Sequence, residues 1–226
     1  MQHTLSSSIE RTPWDSRVFG IETYEITLLN QEVINEALKA PGHYTVKVDP
    51  LSSKKLLHDN GFYYCDTSAE LYCPRERFVD WKDEKVSISR DMALSDLLAM
   101  SRGSFIFGHF HRDFNMDAKC ADRRYDNWLT ELHKEDKVAP IVYAGEPASF
   151  MAHTGNRFLL GAVGEKFRGR GLGKYLWSAV CREVFSADYA QILSPISLCN
   201  TVVLNLHISL GFIARNPRDV YHRLVI

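Results

Sequence analysis

The chain has no apolar run approaching the ~18 residues that a membrane helix needs, and its opening stretch MQHTLSSSIERTPW lacks the basic-then-apolar pattern of a signal peptide. A cytoplasmic protein away from membranes is therefore expected. Charge of one sign is not in excess: 27 Lys and Arg face 28 Asp and Glu, a formal net charge of −1. That balance excludes a general electrostatic footprint for nucleic acid, so any positive site must be local. The five cysteines, at 65, 73, 120, 181 and 199, lack the close paired spacing of zinc motifs, and their odd number argues against a disulfide framework. Reduced thiols in a cytosol are the reading that remains.

What is present is enough apolar material, 45% of 226 residues with 24% charged, to bury one sizeable core or two small ones. Residues 17–29 are rich in β-branched and aromatic types and predict one or two strands, and Gln31 to Ala40 predicts a helix. A strand over His43–Val48, a short helix over Leu51–Asp59 and an extended stretch from Gly61 to Tyr72 follow. Charges dominate from Cys73 to Glu84, which places a domain boundary near residue 80. Beyond it come a strand at Val86–Ile88, a helix at Leu94–Arg102 and an aromatic, ionic loop at Ser104–Met116. Next is a helix capped by Asp117, with Ala121, Tyr125, Trp128, Leu129 and Leu132 on one face. Strands at Val138–Ala144, Ala148–His153 and Phe158–Val163 read as an antiparallel meander, turned at Gly145-Glu146-Pro147 and Gly155-Asn156. A helix to about Ser186, a strand over Tyr189–Ile196, a helix over Asn200–Leu210 and a last strand from Ile213 complete an α/β chain.

The most informative stretch is Leu159 to Trp177, which joins a strand, a glycine-rich turn and a helix start. Arg168-x-x-Gly171-x-Gly173 sets glycines where a backbone turns tightly and a ligand approaches without a Cβ in the way. A helix starting there presents unpaired N–H groups and its positive dipole end to an anion. Lys166, Arg168, Arg170 and Lys174 add charge around it. The same residues also fit an ordinary glycine-containing loop with a solvated basic rim. The spacing is neither that of a triphosphate P-loop nor that of a dinucleotide fold.

Arg168-Gly169-Arg170-Gly171-Leu172-Gly173 resembles the Gln/Arg-x-x-Gly-x-Gly/Ala acetyl-CoA signature of the GNAT family of N-acetyltransferases. The element order from Val138 onward is similar to that family's, over about residues 86–226. The resemblance implies a GNAT fold with a central mixed, mostly antiparallel sheet. It also implies acetyl-CoA as cosubstrate, held at Ala162, Val163, Arg168, Gly169, Arg170, Gly171, Leu172, Gly173, Lys174 and Asn200. In Asn200-x-x-Val203-x-x-Leu206-His207-x-x-x-Gly211-Phe212, His207 stands where the family usually has a tyrosine that protonates the departing thiolate. An imidazolium with an ordinary pKa of ~6.5 could take that role; the other reading of His207 is simple packing. Ser197 and Cys199 lack a spaced His/Asp partner and read as strand-end fillers.

Further segments, Trp14-Asp15-Ser16-Arg17-Val18-Phe19-Gly20, Gly108 to Asp113, Arg124 to Trp128 and Tyr221 to Leu224, are similar to the dTDP-fucosamine acetyltransferase group of bacterial GNATs. That resemblance implies a partial GNAT-like domain at 1–80 ahead of a catalytic domain at 81–226. It also implies an amino-dideoxyhexose on dTDP or UDP as substrate, for surface polysaccharide such as O-antigen. Substrate contacts are expected at Trp14, His109, His111, Arg112 and Tyr125. A small nucleotide sugar is the expected partner, without nucleic acid or membrane, and a homodimer is left open. Glu22, Glu70, Asp113 or a water relay could serve as base. No metal is expected, since acetyl transfer needs none and His109-x-His111 lacks a carboxylate partner. A GNAT acting on another amine, or a catalytically silent CoA-binding module, is the alternative. Leu57 to Phe62 also echoes Leu206 to Phe212, with the Gly-Phe pairs 211 − 61 = 150 residues apart.

Overall fold

The structure is a computed structural model and describes residues 7–226; the first six residues of the stretch read for a targeting signal lie outside it. The chain divides into two compact units. The first comprises residues 7–68, 107–124 and 217–226, and the second Ala69–Ile106 and Tyr125–Asn216.

In the first unit, β1 (Ile9–Arg11), β2 (Thr23–Ile26), β3 (Gly42–Val48), the end of β10 (Ile213–Val225) and the start of β4 (Tyr63–Pro74) lie in the order β1-β2-β3-β10-β4. β2 and β3 are parallel, whereas β3 and β10 run antiparallel with Val48 opposite Asp219 and Gly42 opposite Val225. α2 (Gln31–Ala37) starts at Asn30, whose side chain accepts the Val33 N–H. It buries Val33, Ile34 and Ala37 against Tyr44, Val46, Leu57 and Phe62. α3 spans Lys55–Asp59.

Pro13–Phe19 forms a helix, α1, where the sequence predicts strand from residue 17. Proline at the first helical position, left-handed Gly20 at the C-cap (φ 71°) and the Ser16 hydroxyl accepting the Thr23 N–H outweigh the β propensity of Val18 and Phe19. Seven residues are too few for a helical period to show in the sequence.

The second unit orders its strands β10-β4-β9-β8-β7-β6-β5, with β5 at Val86–Ile88, β6 at Val138–Tyr143, β7 at Glu146–Thr154, β8 at Arg157–Val163 and β9 at Gln191–Ser197. β5 to β8 are antiparallel to one another, and β8 and β9 are parallel. The fold is the mixed α/β type that the sequence suggests. The β6–β7 turn falls at Ala144-Gly145, both with positive φ (52° and 82°), so Glu146 and Pro147 already belong to β7. α4 (Leu94–Ser101), residues 125–134 of α5 (Ala118–Lys134), α6 (Gly173–Ser186) and α7 (Thr201–Ser209) cover this sheet. Leu71, Ile141, Phe158, Leu176, Val180, Ile192 and Phe212 form one buried cluster, and Leu97, Leu129, Phe150 and Leu160 another.

Gly61 and Gly211 close α3 and α7 in the same way. Phe62 N–H bonds to the Leu57 carbonyl at 2.9 Å and Phe212 N–H to the His207 carbonyl at 3.0 Å, each spanning five residues, and both glycines are left-handed. The two segments align without the inserted residue when matched backward from Gly-Phe.

Candidate functional site

β8 and β9 are neighbours, yet their registered pairing consists of Arg157 opposite Leu193 alone, joined by the Leu193 N–H to the Asn156 carbonyl at 2.9 Å. Beyond that point the strands part. β8 keeps its full ladder to β7 on the other edge, from Thr154↔Arg157 to Ser149↔Val163. A strand paired on one edge only offers backbone donors and acceptors to an extended ligand. Ala162 and Val163 lie at the end of that edge. Buried Ser149 donates to the Ala162 carbonyl at 2.7 Å and accepts the Trp177 indole N–H at 3.3 Å, which fixes this end of β8.

The chain leaves β8 through a 3-10 turn, Glu165–Phe167, pinned by buried Phe167. Gly169 and Gly171 both have φ of 71°, and a Cβ built on either meets no atom within 4 Å. The space beside them is open, and their need for glycine is conformational. α6 then begins at Gly173 with no side-chain cap, which leaves the N–H groups at its start available to an anion. Gly173 differs in kind: a Cβ there would lie 3.1 Å from Leu206 Cδ2, so this glycine serves the close packing of α6 on α7.

The basic side chains divide similarly. Arg168 is a structural tie, its guanidinium bonding the Val163 carbonyl at 2.8 Å, Ser104 Oγ at 2.7 Å and the Met100 carbonyl at 3.3 Å. Lys166 pairs with Glu146. Arg170 lies over Phe167, and Lys174 has its Nζ 3.6 Å from the centre of the Trp81 ring. The Gly169–Lys174 backbone with Arg170 and Lys174 is thus the part able to hold a phosphate.

Asn200 caps α7, its side-chain oxygen accepting the Val203 N–H. His207, in the last turn of that helix, is only 1% exposed. Its Nδ1–H donates to the Val203 carbonyl at 2.9 Å, which leaves Nε2 to accept from the Ser194 hydroxyl at 3.0 Å. Trp177 and Phe212 stand edge-on to the ring. Burial lowers its pKa to about 4. At neutral pH the ring is therefore neutral, which weighs against the imidazolium proton donor expected from an ordinary histidine pKa.

Of the expected substrate residues, Trp14, His109, His111 and Arg112 fall in the first unit and Tyr125 in the second. Arg124 stacks over Trp14 at 5.0 Å and Phe110 at 5.3 Å while bonding Asp15 at 2.6 Å. His111 pairs with Asp122, Arg112 with Asp66, and Tyr125 stacks on Phe105. The candidate bases are engaged too. Glu22 pairs with Arg11, and Glu70 sits between Arg157 and Arg215. Burial raises the Glu70 pKa, but the bonds from the two arginines outweigh it and hold the group ionised.

Asp113 belongs to a cluster that spacing in the sequence does not show. Its Oδ2 accepts from His43 Nε2 and His222 Nδ1, both at 2.7 Å, and its Oδ1 accepts from Tyr63 at 2.9 Å and the Asn115 N–H at 2.8 Å. His109 Nδ1 lies 2.9 Å from His222 Nε2. Burial pushes the Asp113 carboxyl up, but the bonds from His222, His43 and Asn115 win and hold it far below the usual range. Burial likewise lowers His109 and His222. A histidine early in β3 and one late in β10 give no local signal of meeting; only the β3–β10 register, with His222 opposite Thr45 and Leu224 opposite His43, brings them together.

No family model matches the chain and no curated protein is similar to it in sequence. Solved structures are similar in fold. A functionally unknown conserved protein from Staphylococcus epidermidis superposes with a TM-score of 0.65 at 12% identity, over 100% of this chain and 94% of its own. A GCN5-related N-acetyltransferase from Sphaerobacter thermophilus gives 0.58 at 11% identity, over 86% of this chain and 65% of its own. The fold is the GNAT fold. The glucosamine N-acetyltransferase region of a fungal multi-domain GH3 β-N-acetylglucosaminidase also shares it, with a TM-score of 0.59 at 10% identity, over 90% of this chain and 30% of that one. This chain thus spans less than two thirds of the length of the Sphaerobacter protein.

Proposed function

We propose that the chain is an acetyl-CoA-dependent N-acetyltransferase whose acceptor is the amine of a nucleotide-linked amino-dideoxyhexose. The observation that carries the cofactor half is the pairing of β8 with β9 at Arg157↔Leu193 alone, directly followed by the left-handed glycines and the uncapped start of α6. In this reading the pantetheine arm lies along the open edge of β8 and the pyrophosphate meets the Gly169–Lys174 amides. The deprotonated amine attacks the thioester carbonyl, and a backbone N–H near Val163 steadies the oxyanion. The C–S bond then breaks. The thiolate takes its proton from solvent, since the ring of His207 is neutral and both its nitrogens are engaged.

The sugar half rests on the segments around Trp14, His109–Arg112 and Tyr125 that resemble amino-sugar acetyltransferases. The likeness in fold to the glucosamine N-acetyltransferase region of the fungal β-N-acetylglucosaminidase supports it. The matched closures of α3 and α7 at Gly61 and Gly211 support a partial GNAT-like repeat at the front of the chain.

A second reading, a CoA-binding module without turnover, is favoured by the absence of a charged or phenolic acid at position 207. Release of thiol from acetyl-CoA decides between them. Release with a dTDP-amino sugar and none without it supports the enzyme; binding of acetyl-CoA without release under any amine supports the module. Release with simple amines alone would retain the reaction and remove the sugar.

A further inference from the structure

We propose that His43 Nε2, Asp113 Oδ2 and His222 Nδ1 form a binding site for one divalent transition-metal ion, zinc by its ligand set. Two imidazole nitrogens and a carboxylate oxygen, from residues far apart in the chain, lie within 4.8 Å of one another. All three side chains have no solvent exposure. Both imidazoles converge on one oxygen of Asp113, while its other oxygen is held by Tyr63 and the Asn115 N–H. That division suits a carboxylate ligand, with one oxygen inward and the other oriented by an outer hydrogen bond. His222 has the matching support, since its second nitrogen meets His109. A set of two imidazoles and a carboxylate is a zinc-type donor set.

Among the described residues, His43 Nδ1 is buried with no hydrogen-bond partner. If His43 only donates from Nε2 to Asp113, an unpaired lone pair is left at Nδ1. Coordination through Nε2 moves that proton to Nδ1, so the lone pair becomes an N–H on a ring beside Phe110, with centroids 5.6 Å apart. On His222 the proton moves from Nδ1 to Nε2 and is donated to His109 Nδ1, whose own proton moves to its Nε2. Both ligands are then neutral imidazoles, and no proton need leave. Ligand bonds of about 2 Å require ligand atoms about 3.3 Å apart, so the 2.7 Å contacts must open by roughly 0.6 Å. The ion would tie β3, β10 and the segment carrying His109 to Arg112 at one point, independently of acetyl transfer.

The test uses the full chain, stripped with a chelator and titrated with cobalt(II) as a zinc surrogate. The expected result is one ion per chain with tetrahedral ligand-field bands and no thiolate charge-transfer band, displacement by zinc, and a higher Tm with zinc. His43→Cys should add a thiolate-to-cobalt charge-transfer band. His109→Gln should keep the stoichiometry and weaken affinity about 10–100-fold, which still reads out if His43→Cys does not fold. Folded wild-type protein that shows neither ligand-field bands nor a zinc-dependent Tm overturns the proposal and leaves a hydrogen-bonded staple. Binding that neither variant alters also overturns it, since the ion would then sit elsewhere.

Discussion

Ser194 Oγ stands 3.0 Å from His207 Nε2, and the hydroxyl is the donor because the ring's other nitrogen already gives its proton to the Val203 carbonyl. The pair is buried and satisfied, which makes position 207 a matter of stability first.

Stability should therefore fall with acid before the carboxylates titrate. His207 has an unfolded pKa of ~6.5 and a folded one of about 4, so between these values the unfolded chain holds the extra proton. The contribution is fully present above pH ~6.5 and is lost as pH descends toward 4, by on the order of 3 kcal/mol. His109 and His222, also lowered, act in the same direction. Asp113 extends the loss below the ordinary carboxylate range. Urea melts from pH 7 to 4 should show the slope, and His207→Phe should reduce it. An unchanged slope in that variant would mean the ring is not buried as described.

Turnover should depend little on the same residue. His207→Phe is expected to retain acetyl transfer within about tenfold in steady-state kinetics, because a neutral ring with both nitrogens occupied supplies no acid. A general acid is worth roughly 10²–10⁴ in rate, so a drop of that size with normal folding would reinstate His207 as a proton donor.

The two Gly-Phe closures should differ in their tolerance. A Cβ on Gly211 would lie 2.0 Å from the Arg77 carbonyl oxygen at φ 93°, whereas on Gly61 it would meet the movable tip of Arg223 at 2.9 Å. Gly211→Ala should cost at least about 3 kcal/mol, and Gly61→Ala about 1–2 kcal/mol, mostly backbone strain. Equal melting temperatures for the two variants would contradict the packing at Gly211.

The glycine turn should govern cofactor affinity without governing the fold. A Cβ on Gly171 meets no atom within 4 Å, but Val cannot readily hold φ of 71°, so calorimetry should show acetyl-CoA affinity lost while the fold persists, with stability lowered only by the strain at that residue, about 1–3 kcal/mol. Gly173→Val should instead lower Tm, by pressing on Leu206. Unaltered affinity in Gly171→Val would remove the phosphate assignment.

A chain cut to residues 81–226 should be insoluble or non-cooperative on melting. It lacks all of β4, the strand that lies between β10 and β9, and with it the fully buried Leu71 and Cys73. A monodisperse, cooperatively melting product would show that the second unit does not need β4.

Most of the architecture was legible from residue order, because its determinants are local. The period change at Gly171, the Asn200 cap and the Gly-Phe closures act within a few residues of themselves, and β5 and the meander of β6 to β8 follow from alternation and turn chemistry. The candidate phosphate turn was legible for the same reason, since left-handed backbone at Gly169 and Gly171 selects glycine directly. Tertiary structure alone decided the rest. It closed α1 where β-branched residues suggested strand, gave Arg168 to the end of α4 and left the turn to its amides. It buried His207, lowering its pKa to about 4, which no neighbour in sequence reveals. It also brought His43, Asp113 and His222 within 4.8 Å. Burial and strand register depend on residues distant in the chain, so the charge state of a histidine and its partners are properties of the folded molecule, while its helix, cap and turn are written beside it.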